Sequence, residues 1–411
     1  MRGALGVAAL LLLAWLLSED RRRVPVRVVV AGVLLQLALA VLLTKFAWAQ
    51  KIFFLLDDAV DALQRATDAG TGFVFGYLGG GPLPFAETRP GASFIFAFRA
   101  LPLVLIISAL AALLFHWGVL QRVVQAIAWM FRRTIGVGGA LGLGAAVHIF
   151  VGHIEAPLLI RPYLLRLARG EIFALMSCGM AGIAGTVMVL YAAILGPVTP
   201  DALANILIAS IISTPAALAV SALMVPFHPD ASAEARLVFA DPPANAMDAL
   251  VRGTGDGIGL LVNIVAMLVV IVTLVALINL GLAWLPAWGG APVTLQGIFA
   301  LFFRPVMWLI GIPGPEIAAA AQLMGTKTVL NEFVAYVDLA HLPPNALSAH
   351  SRLIMTYAMC GFANFGSLGI IIGGMGAMVP ERKAEIVALG LRSILSGTIA
   401  TCMSGAIVGM I

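Results

Sequence analysis

The chain has 411 residues, of which 61% are hydrophobic and only 11% charged, with a formal net charge of +4 at pH 7. A soluble domain carries about 25% charged residues, so this composition, with a mean hydropathy of +1.05, excludes an ordinary water-soluble protein. The basic residues sit in short turns, which leaves no nucleic-acid footprint and reports orientation in a lipid bilayer instead.

In chain order, residues 2–18 form the first apolar run. It resembles a signal-peptide core, but Ser18-Glu19-Asp20-Arg21-Arg22-Arg23 makes a poor cleavage site and a second run follows at 25–44. Both are predicted to span the membrane. Residues 50–65 place Phe53, Leu56, Val60 and Leu63 opposite Asp57, Asp58 and Asp61, the pattern of a helix lying at the surface. A crossing at 92–117 precedes a second such helix at 119–133, with Val123, Ile127 and Met130 set against Arg122, Arg132 and Arg133. Residues 138–168 are apolar but interrupted by Gly, Pro and Glu, as a re-entrant hairpin is; so are 314–345. The remaining crossings are 171–196, 202–227, 255–285, 351–378 and 386–411, with a polar cytoplasmic loop at 228–251 that contains Arg236. The predicted fold is an all-α polytopic membrane protein with about eight transmembrane helices and two hairpins. Cys178, Cys360 and Cys402 lack metal-ligand or disulfide spacing and are predicted to be packing residues.

Arg21 to Arg23, then Arg122, Arg132 and Arg133, then Arg161, Arg166 and Arg169, and finally Arg382 and Lys383 fall on one face if both hairpins enter and leave on the same side. That face is predicted to be cytoplasmic, with both termini outside, in a bacterial-type inner membrane. Ser177-Cys178-Gly179-Met180-Ala181-Gly182 aligns with Met359-Cys360-Gly361-Phe362-Ala363-Asn364, and Ile211-Ile212-Ser213 with Ile394-Leu395-Ser396. The two units are predicted to be inverted repeats with broken helices, the architecture of secondary transporters.

Two carboxylates stand out within interrupted apolar segments, Glu155 and Glu332. A carboxylate at bilayer depth costs roughly 2.5–3.5 kcal/mol on insertion scales and persists where it faces a cavity, partner or substrate. A helix-end anchor is the plainer alternative. The glycine-rich breaks expose backbone groups to a ligand, although glycines also permit tight helix crossing. Glu332, Asn364 and Ser367 offer carboxylate, amide and hydroxyl groups to a polyhydroxylated neutral solute, and Phe362 offers a flat apolar face. An enzyme using His148, His153 and Glu155 lacks metal-binding spacing; a passive channel stays open, because coupling is not readable from residues.

Asn331-Glu332-Phe333-Val334-Ala335-Tyr336, Cys360-Gly361-Phe362-Ala363-Asn364-Phe365-Gly366-Ser367 and Gly152-x-x-Glu155-Ala156-Pro157 resemble signature segments of the concentrative nucleoside transporters. The resemblance implies a homotrimer working as a cation-coupled nucleoside symporter by elevator-like movement, without cofactors. It divides the chain into N-terminal scaffold and interfacial helices (1–135), a first transport-domain repeat (136–227), a loop with long scaffold helix and interfacial segment (228–312) and a second, inverted repeat (313–411). It implies that Glu332, Asn364 and Ser367 bind ribose, and that Gly152, His153, Ile154, Glu155, Val187 and Phe362 surround the base. The family's usual Gln-Thr is here His153-Ile154, so base selection is expected to be altered. The sodium positions correspond to His148, Val151, Gly182 and Ile183, where His148 replaces Asn and Gly182 replaces Ser. Two side-chain oxygens are thereby lost, and sodium is a hard cation that prefers oxygen. Proton coupling is expected, with Glu155, Glu332, His148 and His153 as carriers and sodium as the alternative.

Overall fold

The computed structural model describes residues 2–87, 93–153, 155–228, 243–286 and 292–411, apart from the side chains of 47–57, 60 and 61. Among the described residues every regular element is helical. Six stretches are long and apolar enough to cross a membrane: Val26–Lys45, Phe96–His116, Arg169–Leu195, Ala202–Met224, Ala246–Leu282 and Pro380–Val408. Shorter apolar helices occupy Arg2–Leu16, Leu295–Leu309 and Phe365–Met378. The core runs through Ala202–Met224, which is 89% buried along its apolar window, whereas Ala246–Leu282 is 6% buried and lies at the periphery.

Two of the predicted crossings are interrupted. The first divides into Arg169–Ala181 and Gly185–Leu195 around an extended Gly182. The second divides into Ala349–Met359 and Phe365–Met378, with Cys360 extended and Asn364 capping the second half. Each is preceded by a hairpin. The first consists of Gly139–Val147 followed by Glu155–Leu159 and Arg161–Leu164. The second pairs Ile317–Val329 with Glu332–His341, and Asn331 Oδ1 caps its returning limb by accepting Val334 N–H at 2.9 Å. The mouth of this second hairpin is fastened. Ser348 Oγ donates to Glu316 Oε2 at 3.1 Å, and Arg352 donates to the carbonyls of Leu339 at 3.2 Å and Pro343 at 3.1 Å. The hairpin therefore enters and leaves at one end of the molecule.

The first two helices pack on the repeats and on Leu295–Leu309: Gly6 lies against the Leu309 carbonyl and Gly32 against that of Pro215, while Gln36 Nε2 donates to Ser404 Oγ at 3.0 Å. Leu103–His116 pairs instead with Ala246–Leu282, where Gly253 meets Ala109 and Ala112.

The arginine-rich turns converge as the charge pattern predicts. Glu19 accepts from Arg169 at 2.9 Å and from Arg392 at 2.7 Å, and Arg382 donates to the carbonyls of Leu164 (3.2 Å) and Leu167. The hydrogen bond from Arg169, assisted by both guanidinium charges, holds the Glu19 carboxyl below its ordinary 4.5. A depressed carboxylate stabilises the fold above that value and loses its contribution as pH falls through the lowered one. Glu19→Gln is expected to cost about 1 kcal/mol, since the network is half exposed. The midpoint difference from the unsubstituted protein in thermal unfolding should shrink as pH drops below 4.5; a constant difference would refute it. At the opposite end, Arg2 lies over the Trp308 ring at 5.8 Å and Gly3 lies against Met410, so both ends of the sequence sit together.

Several boundaries depart from expectation. The surface helix predicted at 50–65 extends over Ala47–Phe75; among the residues of its predicted faces, Phe53, Leu56, Asp57, Val60 and Asp61 lie outside the described side chains. The predicted loop 228–251 is already helical from Ala246, capped by Asn245 Oδ1 on Asp248 N–H; residues 229–242, with Arg236, lie outside the description. The crossing at 92–117 is split by Pro102 into Phe96–Arg99 and Leu103–His116. Leu295–Leu309 is a helix within 228–312, where an interfacial segment was expected without bounds, because Arg304 and Pro305 interrupt its apolar run.

Candidate functional site

The two breaks meet in the core. Phe362 N–H, in the second break, donates to the Gly182 carbonyl, in the first, at 3.2 Å. Gly361 makes this approach possible. Its φ is +158°, and a Cβ there would lie 2.7 Å from the Met180 carbonyl oxygen. An alanine at this position would both strain the backbone and push the two breaks apart.

Beside this contact lies a buried polar cluster. Glu332 begins the returning limb of the second hairpin and is 3% exposed. One carboxylate oxygen accepts the Tyr191 hydroxyl at 2.7 Å, and the other accepts Asn364 Nδ2–H at 2.9 Å. Asn364 Oδ1 accepts Ser367 N–H at 2.7 Å, so one side chain caps a half-helix and orients the carboxylate. A carboxylate has about four acceptor positions. Tyr191 and Asn364 engage two of them and the backbone N–H of Glu332 itself also bonds the group, which locks it in place. Glu332, Asn364 and Ser367 are thus brought together. Phe333 stacks beside Phe96 at 4.5 Å and Tyr191 at 6.2 Å, forming an apolar wall.

The base-side candidates are only partly assembled. The His153 ring meets Phe362 edge-on at 4.8 Å between centroids. Val187 is buried, one helical turn before Tyr191. The Glu155 carboxylate folds back against Gly152 and is exposed. Ile154 lies outside the described residues. Both ring nitrogens of His153 and Nε2 of His148 are buried without a hydrogen-bond partner among the described residues. Orphaned polar atoms of this kind are rare, and Gly179 lies between the His148 ring and the Cβ of His153.

Of the candidate ion residues, His148 and Gly182 come together. The His148 carbonyl lies 3.4 Å from where a Cβ on Gly182 would stand, while the His148 ring turns toward Gly179. Val151 N–H closes the same turn on the Val147 carbonyl at 3.0 Å. Ser210, from the neighbouring Ala202–Met224 helix, places its hydroxyl 3.3 Å from that Gly182 Cβ position and accepts Ile183 N–H at 3.4 Å. An imidazole nitrogen is a poor partner for a hard cation, whereas the Ser210 hydroxyl beside Gly182 is an oxygen.

Sequence profiles described as the Na+ dependent nucleoside transporter N-terminus and C-terminus match residues 5–78 and 205–409, and a nucleoside recognition profile matches 97–198. A transporter of Haemophilus influenzae is 35% identical over 415 residues, covering 99% of this chain and 96% of that protein. The nucleoside permease NupC of Helicobacter pylori is 32% identical over 411 residues, covering 98% and 96% respectively. This chain belongs to the concentrative nucleoside transporter family. Its fold superposes on CNTnw in an inward-facing, substrate-bound state with a TM-score of 0.89 at 33% identity, covering 100% of this chain and 98% of that one. The family consists of transporters, not enzymes.

Within this transporter, three residues of the site escaped the sequence reading. Tyr191 shares a helical face with Val187, four residues earlier, and that spacing was the available signal. Lys327 is fully buried near the tip of the second hairpin, where its ammonium donates to the Ala358 carbonyl at 3.3 Å and Thr401 Oγ1 at 3.4 Å. It also interacts electrostatically with Glu332. A lysine inside an apolar hairpin was the signal there. Ser210 gave none, since its role depends on packing between helices.

Proposed function

We propose that the chain concentrates nucleosides by cation-coupled symport, with the ribose held by Glu332, Asn364 and Ser367. The supporting observation is the Glu332 carboxylate, buried and fixed by Tyr191 and Asn364 beside the point where the two breaks touch. A carboxylate held rigidly in one orientation suits sugar hydroxyls, which donate to its oxygens. Phe362 and Val187 pack on the base, and Gly152, His153, Ile154 and Glu155 read its edge. The protein works as a homotrimer in a bacterial-type inner membrane, the arginine-rich end cytoplasmic and both termini outside. Counterflow in sealed vesicles tests transport against passive permeation: preloaded nucleoside accelerates uptake of label through a carrier, and an open pore gives no acceleration.

Proton coupling accounts for the exchange of two oxygen-bearing side chains for His148 and Gly182, and for the unpartnered imidazole nitrogens nearby. An inward proton gradient should concentrate uridine in proteoliposomes without sodium, and a protonophore should abolish it. Uptake that requires sodium and ignores the gradient would overturn this reading. The Ser210 hydroxyl beside Gly182 favours the second reading, sodium coupling, in which that group completes the oxygen shell. Ser210→Ala then removes sodium dependence.

Base choice is expected to follow His153 and Ile154. Restoring His153→Gln with Ile154→Thr supplies two hydrogen-bonding side chains where one imidazole and one aliphatic group now stand, and should change the ranking of nucleosides about tenfold or more. Competition of unlabelled nucleosides against uridine uptake measures it. An unchanged ranking removes these two positions from base recognition.

A further inference from the structure

Arg27 begins the second membrane helix, Val26–Lys45, while Trp129, Arg132 and Arg133 lie in the last turns of the amphipathic helix Val119–Thr134. These four residues, from segments a hundred positions apart, line one cavity of about 500 Å³. No acidic side chain lines it, and none of the three arginines is ion-paired among the described residues. The arrangement contrasts with Arg169, Arg382 and Arg392 on the same end of the molecule, all of which hold carboxylates. Trp129 is 60% exposed, and Val119 and Val123 on the same helix are also exposed. An indole beside guanidinium groups at a helix lying flat is the composition of a lipid headgroup boundary.

We infer that this cavity binds the phosphate of an anionic phospholipid, whose acyl chains lie along the exposed apolar side chains of the interfacial helix. Guanidinium groups grip phosphate oxygens through paired N–H donors, and two helices supply them, so the lipid bridges Val26–Lys45 to Val119–Thr134. The bridged helix leads within five residues to the first hairpin at Gly139. The lipid thereby fixes the base from which that hairpin projects.

Thermal unfolding of the full chain in detergent, titrated with short-chain phosphatidylglycerol, tests the site against phosphatidylcholine of equal chain length, glycerol 1-phosphate and inorganic phosphate. Phosphatidylglycerol should raise the midpoint saturably, and the other three should not. Arg27→Gln should weaken the half-saturating concentration about fivefold, and the triple change Arg27→Gln, Arg132→Gln, Arg133→Gln should abolish the shift. Arg21→Gln, which removes an arginine from the same membrane face but not from the cavity, should leave affinity unchanged. The inference is overturned by an equal response to phosphatidylcholine, by reproduction of the shift with inorganic phosphate, by a triple variant that still responds, or by equal weakening in Arg21→Gln. If the triple variant does not fold, Arg27→Gln set against Arg21→Gln decides the question alone.

Discussion

Glu332→Gln is expected to lower uridine uptake about 100-fold in initial rate per molecule of protein, with abundance and oligomeric state unchanged. Glutamine keeps the size of the side chain, but it has one carbonyl acceptor where the carboxylate has two oxygens, and it carries no charge. The Tyr191 hydroxyl and Asn364 amide, at 2.7 and 2.9 Å, then compete with sugar hydroxyls for that single acceptor. A charge-assisted hydrogen bond contributes about 1.5–3 kcal/mol, and a buried donor left unpaired costs as much again. Tyr191→Phe, which removes only the orienting donor, should lower uptake about tenfold. Free uracil should compete poorly with uridine, because it brings no hydroxyls. Uptake by Glu332→Gln near that of the unsubstituted protein would sink the sugar site.

Lys327→Met is expected to destabilise the protein by about 2 kcal/mol, the scale on which buried polar groups left without their charged donor are missed. Methionine occupies the space, so the loss reports charge rather than volume. The Ala358 carbonyl and Thr401 hydroxyl would lose their ammonium donor, and the buried Glu332 carboxylate would lose a nearby positive charge. The decisive comparison is the double change Lys327→Met with Glu332→Gln, which should recover most of that stability without recovering transport. Thermal unfolding of the four proteins gives the interaction term. Additive losses would mean that the lysine stabilises its surroundings without reference to Glu332.

What was legible in the residues follows from how costly each feature is in lipid. Glu332, Asn364 and Ser367 stood out because polar groups in apolar segments need a reason, and glycine clusters at 179–185 and 361–369 disclosed the breaks. The arginine clusters disclosed one end of the molecule, since their number is small and their loops are short. Tyr191 shares a face with Val187, but a tyrosine in an apolar helix reads as core, and only the tertiary contact shows where its hydroxyl points. Ser210 was hidden for a related reason: a single hydroxyl can bond within its own helix, so its presence in Ala202–Met224 predicts nothing about Gly182. The bounds of Leu295–Leu309 were not legible because Arg304 and Pro305 interrupt its apolar run.

The hydrogen bond from Phe362 N–H to the Gly182 carbonyl joins the residue proposed to pack on the base to the segment proposed to hold the coupling cation. Occupancy of either segment therefore alters the carbonyl or the amide on which the other depends. Thermodynamic reciprocity follows: by whatever factor the coupling cation tightens nucleoside binding, nucleoside must tighten cation binding by the same factor. Couplings of this kind are about 5- to 150-fold. Binding isotherms measured in both directions should close that square, even where transport rates do not.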